Sequence, residues 1–384
     1  MKVAVLLSGG VDSSVALTLL QAAGHDVTAF YLQIWFQEDF RNYWDQCPWE
    51  DDLSEARAVC DLLRVPLEVV PLTRPYWDLV VSHSVEEISR GRTPNPDMLC
   101  NSRVKFGAFR EWLAETHPGR FARVASGHYA ALERPGGPFG GAGDDADADG
   151  KVKLVMSGDA HKDQTYFLAA LSQAQLEGLS FPIGGLPKAE IRDIARRAGL
   201  PNANRKDSQG ICFLGKVKFS EFVAEHLGER PGKIVEIETG LEIGEHRGFW
   251  FHTIGQRSGL GLSGGPWYVC GKDAKRNIVF ITKDYYAGDK ERRAFRLYCK
   301  VRHGERRYRC TLKFDPDGEG GRVVLDANDQ GLAAGQFAVF YDGRECLGSG
   351  VIAERAAPID VKVLVDPKSA AKRRSSDNSA PPAR

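Results

Sequence analysis

The chain has 384 residues, too many for one compact core, and its length alone points to two or three domains. Its 51 Lys and Arg balance its 51 Asp and Glu, which excludes a chain basic throughout but allows a basic face offset by acidic segments. Hydrophobic residues at 42% and charged residues at 27% fit a soluble globular protein, and no apolar stretch approaches the ~20 residues that span a bilayer.

In chain order, Val3-Ala4-Val5-Leu6-Leu7 follows Lys2 directly and ends in a Gly turn. That run is too short for a signal-peptide core and reads as a buried first strand, residues 2–7. There is no Arg/Ser-rich transit segment either. The expected location is cytoplasmic as the chain stands, with plastid or mitochondrion left open if a transit peptide is missing. Val11, Val15, Ala16, Leu19 and Leu20 recur at helical spacing before a stop at Gly24. A strand is predicted at 26–35, a helix at 52–64 and a strand at 65–70. Such alternation implies a doubly wound α/β fold, a parallel sheet covered on both faces with its ligand beyond the strands' C-terminal ends.

Further helices are predicted at 75–90, 101–115 and 187–198, with a strand at 120–127. Residues 135–150 are too rich in Gly, Pro and Asp to bury a core and read as a mobile surface insertion. From about residue 230 short strands and Gly-rich turns take over. Strand-rich segments at 296–313, 321–326 and 336–352 suggest a small antiparallel barrel. Residues 366–384 read as a disordered tail. The eight cysteines, at 47, 60, 100, 212, 270, 299, 310 and 346, include no C-x-x-C pair, so reduced thiols and no structural zinc are expected.

Three segments carry chemistry. Ser8-Gly9-Gly10-Val11-Asp12-Ser13-Ser14 joins the first strand to the first helix. Two glycines admit an anion close to the backbone, the helix N-terminus aims N–H groups at it, and the serine hydroxyls add donors. It has neither the lysine nor the spacing of a Walker A loop. Thr93-Pro94-Asn95-Pro96-Asp97-Met98-Leu99-Cys100-Asn101 reads as an extended loop ahead of a helix beginning near Asn101. Cys100 would then sit at a helix N-terminus that favours its thiolate, with Asp97 as a nearby proton donor or acceptor. Lys206-Asp207-Ser208-Gln209-Gly210-Ile211-Cys212 places a second cysteine in a glycine-flanked stretch. Alone, each cysteine could equally be an inert core thiol.

Taken together, SGGVDSS at 8–14, GRTPNPDMLCN at 91–101, ASGHYA at 125–130, KDQTYFL at 162–168, KDSQGICFLG at 206–215, FHTIGQRSGLGL at 251–262 and AAGQFAVFYDG at 333–343 resemble the tRNA-specific 2-thiouridylase family. FRNYWDQCPWEDD at 40–52 is more similar to plant and algal organellar members. The first motif is similar to the pyrophosphate loop of ATP pyrophosphatases. The resemblance implies a pyrophosphatase domain at 1–215, a central domain at 216–288 and a tRNA-binding barrel at 289–365. It implies ATP with Mg²⁺ bound by Leu6, Leu7, Ser8, Gly9, Gly10, Val11, Asp12 and Ser13, with Leu32 and Gly127 at the adenosine. The family often has Met at the Leu32 position.

The resemblance also assigns roles. A uridine C2 oxygen is a poor leaving group, and adenylation turns it into AMP. Cys212 is implied to carry a persulfide and Cys100 to release its sulfur, leaving a transient Cys100–Cys212 disulfide. That bond needs Cα atoms within roughly 7 Å. Asp97 is implied as acid/base, with Asn95, Pro96 and Asp97 holding the target base. His128, Lys162, Asp163, Gln164, Arg302, His303 and Gln336 match tRNA-contacting positions, although His303 stands where the family usually has Tyr. Expected partners are the tRNA anticodon stem-loop and a sulfur donor, a cysteine desulfurase or relay protein, with the enzyme a monomer and no membrane involved. An iron–sulfur cluster on Asp97, Cys100 and Cys212 stays open but unsupported.

Residues 290–310 hold nine Lys or Arg against two Glu, a net of +7, interleaved with Phe295, Tyr298 and Tyr308. They read as a phosphate-contacting stripe. Residues 38–55, with seven acids and one Arg, are expected away from it. The competing readings are an AMP-forming ligase acting on a small molecule and a non-catalytic tRNA-binding protein with a relic loop.

Overall fold

A computed structural model describes residues 1–34, 48–134, 151–206, 219–283, 297–314, 320–327, 329 and 332–353. The expected insertion at 135–150, the tail at 366–384, Cys212 and its loop, and residues 38–47 of the acidic segment lie outside the described residues. No helix among them is long and apolar enough to cross a membrane.

The first strand, β1 (Lys2–Leu6), pairs in parallel with β2 (Asp26–Gln33) on one side and with β4 (Arg123–Ala125) on the other. β3 (Leu67–Pro71) and β7 (Leu179–Ser180) complete a five-stranded parallel sheet of order β3-β2-β1-β4-β7. Val3, Ala4 and Val5 are all at most 2% exposed, because successive residues of β1 point into two different cores. Val3, Val5 and Leu7 pack with α1 (Val11–Ala22), α2 (Pro48–Leu63) and α7 (Lys188–Arg197). Ala4 and Leu6 pack with α3 (73–89) and α4 (96–116) on the opposite face. The chain winds outward from β1 in both directions, so the switch point lies between β1 and β4.

Helix α4 sets the position of the cysteine segment. His117, just past its end, meets Glu68 at the start of β3 at 2.9 Å. α4 therefore runs antiparallel to the strands, and its first turn stands at their C-terminal end, ~30 Å away for a helix of this length.

The short helices α5 (Thr165–Leu168) and α6 (Gln173–Glu177) precede β7, and α8 (Phe219–Leu227) opens the remainder of the chain. A four-stranded sheet follows, of β8 (Gly232–Glu236), β9 (Glu242–His246), β10 (Tyr268–Asp273) and β11 (Ile278–Thr282). Its order is β10-β11-β8-β9, with only β11 and β8 parallel. The C-terminal strands are β12 (Leu297–Lys300), β13 (Tyr308–Phe314), β14 (Gly321–Leu325), β15 (Phe337–Asp342) and β16 (Glu345–Val351). They form an antiparallel sheet that two earlier strands extend, β5 (Ala130–Glu133) and β6 (Lys153–Met156), in the order β14-β13-β12-β15-β16-β6-β5. The strand-rich segments predicted at 296–313 and 336–352 are each a pair of antiparallel strands. The second pair turns at Gly343, whose φ of 55° suits a tight hairpin.

Candidate active site

The phosphate loop lies at the switch point, between β1 and α1. Gly10 occupies the N-cap in an extended conformation with no side-chain cap, so the first-turn N–H groups of α1 are left for a ligand. Gly9 has φ 76°, and a Cβ there would overlap the Asp52 carbonyl, so only glycine fits. The hydroxyls differ from expectation. Ser13 and Ser14 donate to the Gly10 carbonyl at 3.0 and 2.9 Å, and the Ser8 amide donates to Ser13 Oγ at 3.2 Å. With Ser13 and Ser14 buried, their hydroxyls shape the loop from within, and Ser8 is the exposed one. Gly127, just after β4, presses on the loop's back. A Cβ there would lie 2.6 Å from Ser13 N. Leu32 lies near the C-terminal end of β2, opposite Val70 of β3.

Lysine, missing from the loop's sequence, arrives from elsewhere. Lys188, first residue of α7, places Nζ 2.7 Å from Asp12 Oδ1, which also accepts from the Tyr129 hydroxyl at 2.9 Å. The Lys188 amide donates to Asp159 at 2.9 Å, and this hydrogen bond heads the causes that lower the Asp159 carboxyl. Asn202 donates to Gly9 O and Ser14 Oγ, each at 2.9 Å, and Arg205 donates to Gly9 O at 3.1 Å while pairing with Asp52. Burial raises the Asp52 carboxyl and Arg205 opposes that rise. None of Lys188, Tyr129, Asn202 and Arg205 was singled out from sequence. The available signal was the missing cation itself, since a lysine at a predicted helix start could supply it.

The cysteine segment corrects one expectation. The helix begins at Pro96, with Asn95 as N-cap accepting from the Met98 amide at 3.2 Å. Proline is at home in the first helical turn, where its missing N–H has no partner to lose. Cys100 therefore sits beyond that turn, where the helix field has faded. It is 1% exposed among apolar neighbours and opens a π-helical stretch, Cys100–Ala108. Asp97, three residues earlier, shares its helix face.

The C-terminal sheet closes over this segment. Gln336 Nε2 donates to the carbonyls of Thr93 and Pro94, each at 3.0 Å, and Asn95 Nδ2 approaches Gln336 Oε1 at 3.4 Å. Thr93 N donates to Ala334 O at 2.7 Å. Asn101 reaches the Phe167 carbonyl at 3.2 Å, and the Phe167 ring lies 5.6 Å from that of His303. The neighbouring Arg302 pairs with Asp329. Asn95, Gln336 and the Phe167–His303 pair thus gather around one end of α4.

Other expected RNA contacts also make bonds within the fold. Asp163 and Lys300 form an ion pair at 2.9 Å with both side chains 1% exposed, and Thr165 and the Ser157 amide donate to the same carboxylate. Asp163 thereby holds its segment, and Lys300 is buried while the basic stripe was predicted to face outward. Gln164 is also a clasp, exchanging bonds of 2.9 and 2.8 Å with the Tyr129 backbone. His128 shares a 2.8 Å hydrogen bond with Ser126 and lies between the rings of Phe106 and Phe181. Burial, helped by Lys105, pushes its imidazole down to about 3, so it stays neutral. Lys162 is exposed. Cys60, Cys299, Cys310 and Cys346 are free thiols, and among the described residues no three His, Cys, Asp or Glu side chains are placed to hold a metal.

Three family models match in order: a tRNA methyl transferase HUP domain at residues 1–216, a tRNA methyl transferase PRC-barrel domain at 220–283 and an aminomethyltransferase beta-barrel domain at 275–352. A tRNA-specific 2-thiouridylase MnmA of Parabacteroides distasonis is 43% identical over 372 residues, covering 92% of this chain and 99% of that protein. Its namesake from Porphyromonas gingivalis is 44% identical over 380 residues, 92% of this chain and 99% of that protein. A solved 4-thiouridine synthetase–RNA complex with bound ATP is similar at 17% identity and TM-score 0.34, covering 59% of this chain and 50% of that one. Similarity to the two thiouridylases runs from the phosphate loop through the C-terminal sheet, and the chain belongs to the tRNA-specific 2-thiouridylase family.

Proposed function

We propose that this enzyme, an ATP-dependent tRNA sulfurtransferase by family, adenylates the C2 oxygen of the wobble uridine and then exchanges that oxygen for sulfur. The supporting observation is that two functions share one end of the sheet: the uncapped phosphate loop, and the start of α4, with Asn95 and Asp97 at its first turn and Cys100 just beyond. ATP enters as its Mg²⁺ complex. The N–H groups of α1 receive phosphate oxygens, Lys188 supplies the cation the loop lacks, and Gly127, packed on the loop's back, lies toward the adenosine. Attack of the C2 oxygen on the α-phosphate expels pyrophosphate.

Sulfur follows. A persulfide on Cys212, charged by a cysteine desulfurase or relay protein, is attacked at the Cys212 sulfur by the Cys100 thiolate. The Cys100–Cys212 disulfide forms and hydrosulfide leaves. Hydrosulfide adds at C2, AMP departs with the original oxygen, and a thiol reductant returns the disulfide to two thiols. Asp97 handles the protons. Arg205, which touches Gly9, stands seven residues before Cys212. Seven residues span at most ~25 Å, a chain length compatible with Cys212 serving this site. Asn95 and Pro96 hold the base, and Lys162, Arg302, His303 and Gln336 line the approach of the anticodon stem-loop. The enzyme acts as a monomer.

Cys100→Ser and Cys212→Ser should each abolish thiolation while ATP-dependent pyrophosphate release on tRNA persists. A small-molecule ligase would tolerate both changes. Full thiolation by either variant would remove the persulfide scheme.

A further inference from the structure

The thiolation chemistry makes no use of the glycine-rich turn that leads into β10. From Arg247 to Lys272 the chain has no acidic residue, while Arg247, Arg257 and Lys272 fall within it. The turn borders an open hollow of about 250 Å³ lined by Arg257, Gly259, Leu260, Gly261, Gly265 and Trp267. That is smaller than the ~300–1,000 Å³ of sites that enclose a small organic ligand.

The electrostatics favour an anion. The Arg257 guanidinium lies 6.0 Å over the Tyr268 ring, and Lys283 Nζ lies 4.5 Å from the centre of the Trp267 ring. Both cations are exposed, and adjacent aromatic rings position them without neutralising them as a carboxylate would. Among the described residues neither pairs with an acid. Gly259, Gly261 and Gly264 take φ of 78, 66 and 73° and are exposed, so no side chain of theirs screens the backbone from an anion. Trp267, 8% exposed and bonded through its indole N–H to Ser263 O at 3.0 Å, is a wall of the hollow and not a stacking platform.

We propose that this turn is a second, sequence-independent contact for the RNA substrate, taking one backbone phosphate between Arg257, Lys283 and the loop backbone. The proposal rests on the tRNA reading of the active site. Its role is to hold the RNA from the central sheet while the C-terminal sheet presents the anticodon.

The test uses the full chain with Arg257→Gln, Lys283→Gln and the double variant, with Arg257→Lys as the conservative control. Filter binding of unmodified tRNA is measured across about 50–200 mM KCl, and thiolation kinetics are followed in tRNA and in ATP. The double variant should lower the log–log salt slope by about 1–2 and raise the KM for tRNA several-fold. The ATP KM, kcat and melting temperature should hold, and Arg257→Lys should retain most of the affinity. An unchanged slope and tRNA KM in the double variant would overturn the proposal. A change confined to ATP or to the sulfur donor would do the same. Absence of thiolation by the wild-type chain would instead count against the active-site reading, and the binding arm would still decide this one.

Discussion

A carboxylate in a loop built for polyphosphate repels its ligand unless a cation faces it, and Lys188 faces Asp12 at 2.7 Å. Lys188→Met removes that charge-assisted contact, worth about 1.5–3 kcal/mol, or roughly 10–100-fold. Pyrophosphate release should fall by that factor while tRNA binding holds, and a steady-state assay in both substrates separates the two. His128 gives a pH prediction. Its folded pKa of about 3 lies below the ordinary 6.5, so between those values the unfolded chain binds the extra proton. Its contribution is fully present above pH 6.5 and is lost as pH falls toward 3. The melting temperature of His128→Phe should fall less steeply than wild type between pH 6.5 and 4. His252, pushed down to about 4 by burial, adds a parallel slope in both proteins, so the difference isolates His128.

At the scale of elements, the strand–helix alternation was legible because β1 and α1 carry uninterrupted apolar patterns, and the phosphate loop between them was legible with it. The start of α4 was misplaced because Pro94 and Pro96 were both read as breakers, whereas Pro96 occupies the position a helix start accepts. Asn202 and Arg205 were invisible because the fold brings them to the loop across nearly 200 residues, and for Lys188 the only signal was the cation missing from the loop. The Asp163–Lys300 pair was hidden for the same reason, since a charge pattern cannot reveal which lysine turns inward. It ties α5 to β12, the strand before the Arg302–His303 turn. Lys300→Met strands a buried carboxylate and should cost about 3–5 kcal/mol in urea unfolding. Lys300→Met with Asp163→Leu should recover much of that loss.

Across the whole molecule, the zero net charge is a cancellation of unlike segments. Residues 290–310 carry +7 and residues 38–55 carry −6. Within the described part of the basic stripe, Lys300 is spent on Asp163 and Arg302 on Asp329, so fewer cations are free for RNA than the count implies. The β5–β6 hairpin extends the C-terminal sheet, and Gln336 clamps that sheet to Thr93 and Pro94. The ATP-binding and C-terminal parts are thereby locked together around the start of α4, where base recognition and sulfur delivery are assigned. The central claim is tested by incubating the purified chain with ATP, Mg²⁺, a persulfide donor and unmodified tRNA, then digesting the RNA to nucleosides for mass analysis. The account predicts 2-thiouridine, with one AMP and one pyrophosphate formed per sulfur inserted. A folded enzyme that leaves the tRNA free of 2-thiouridine under these conditions would contradict it.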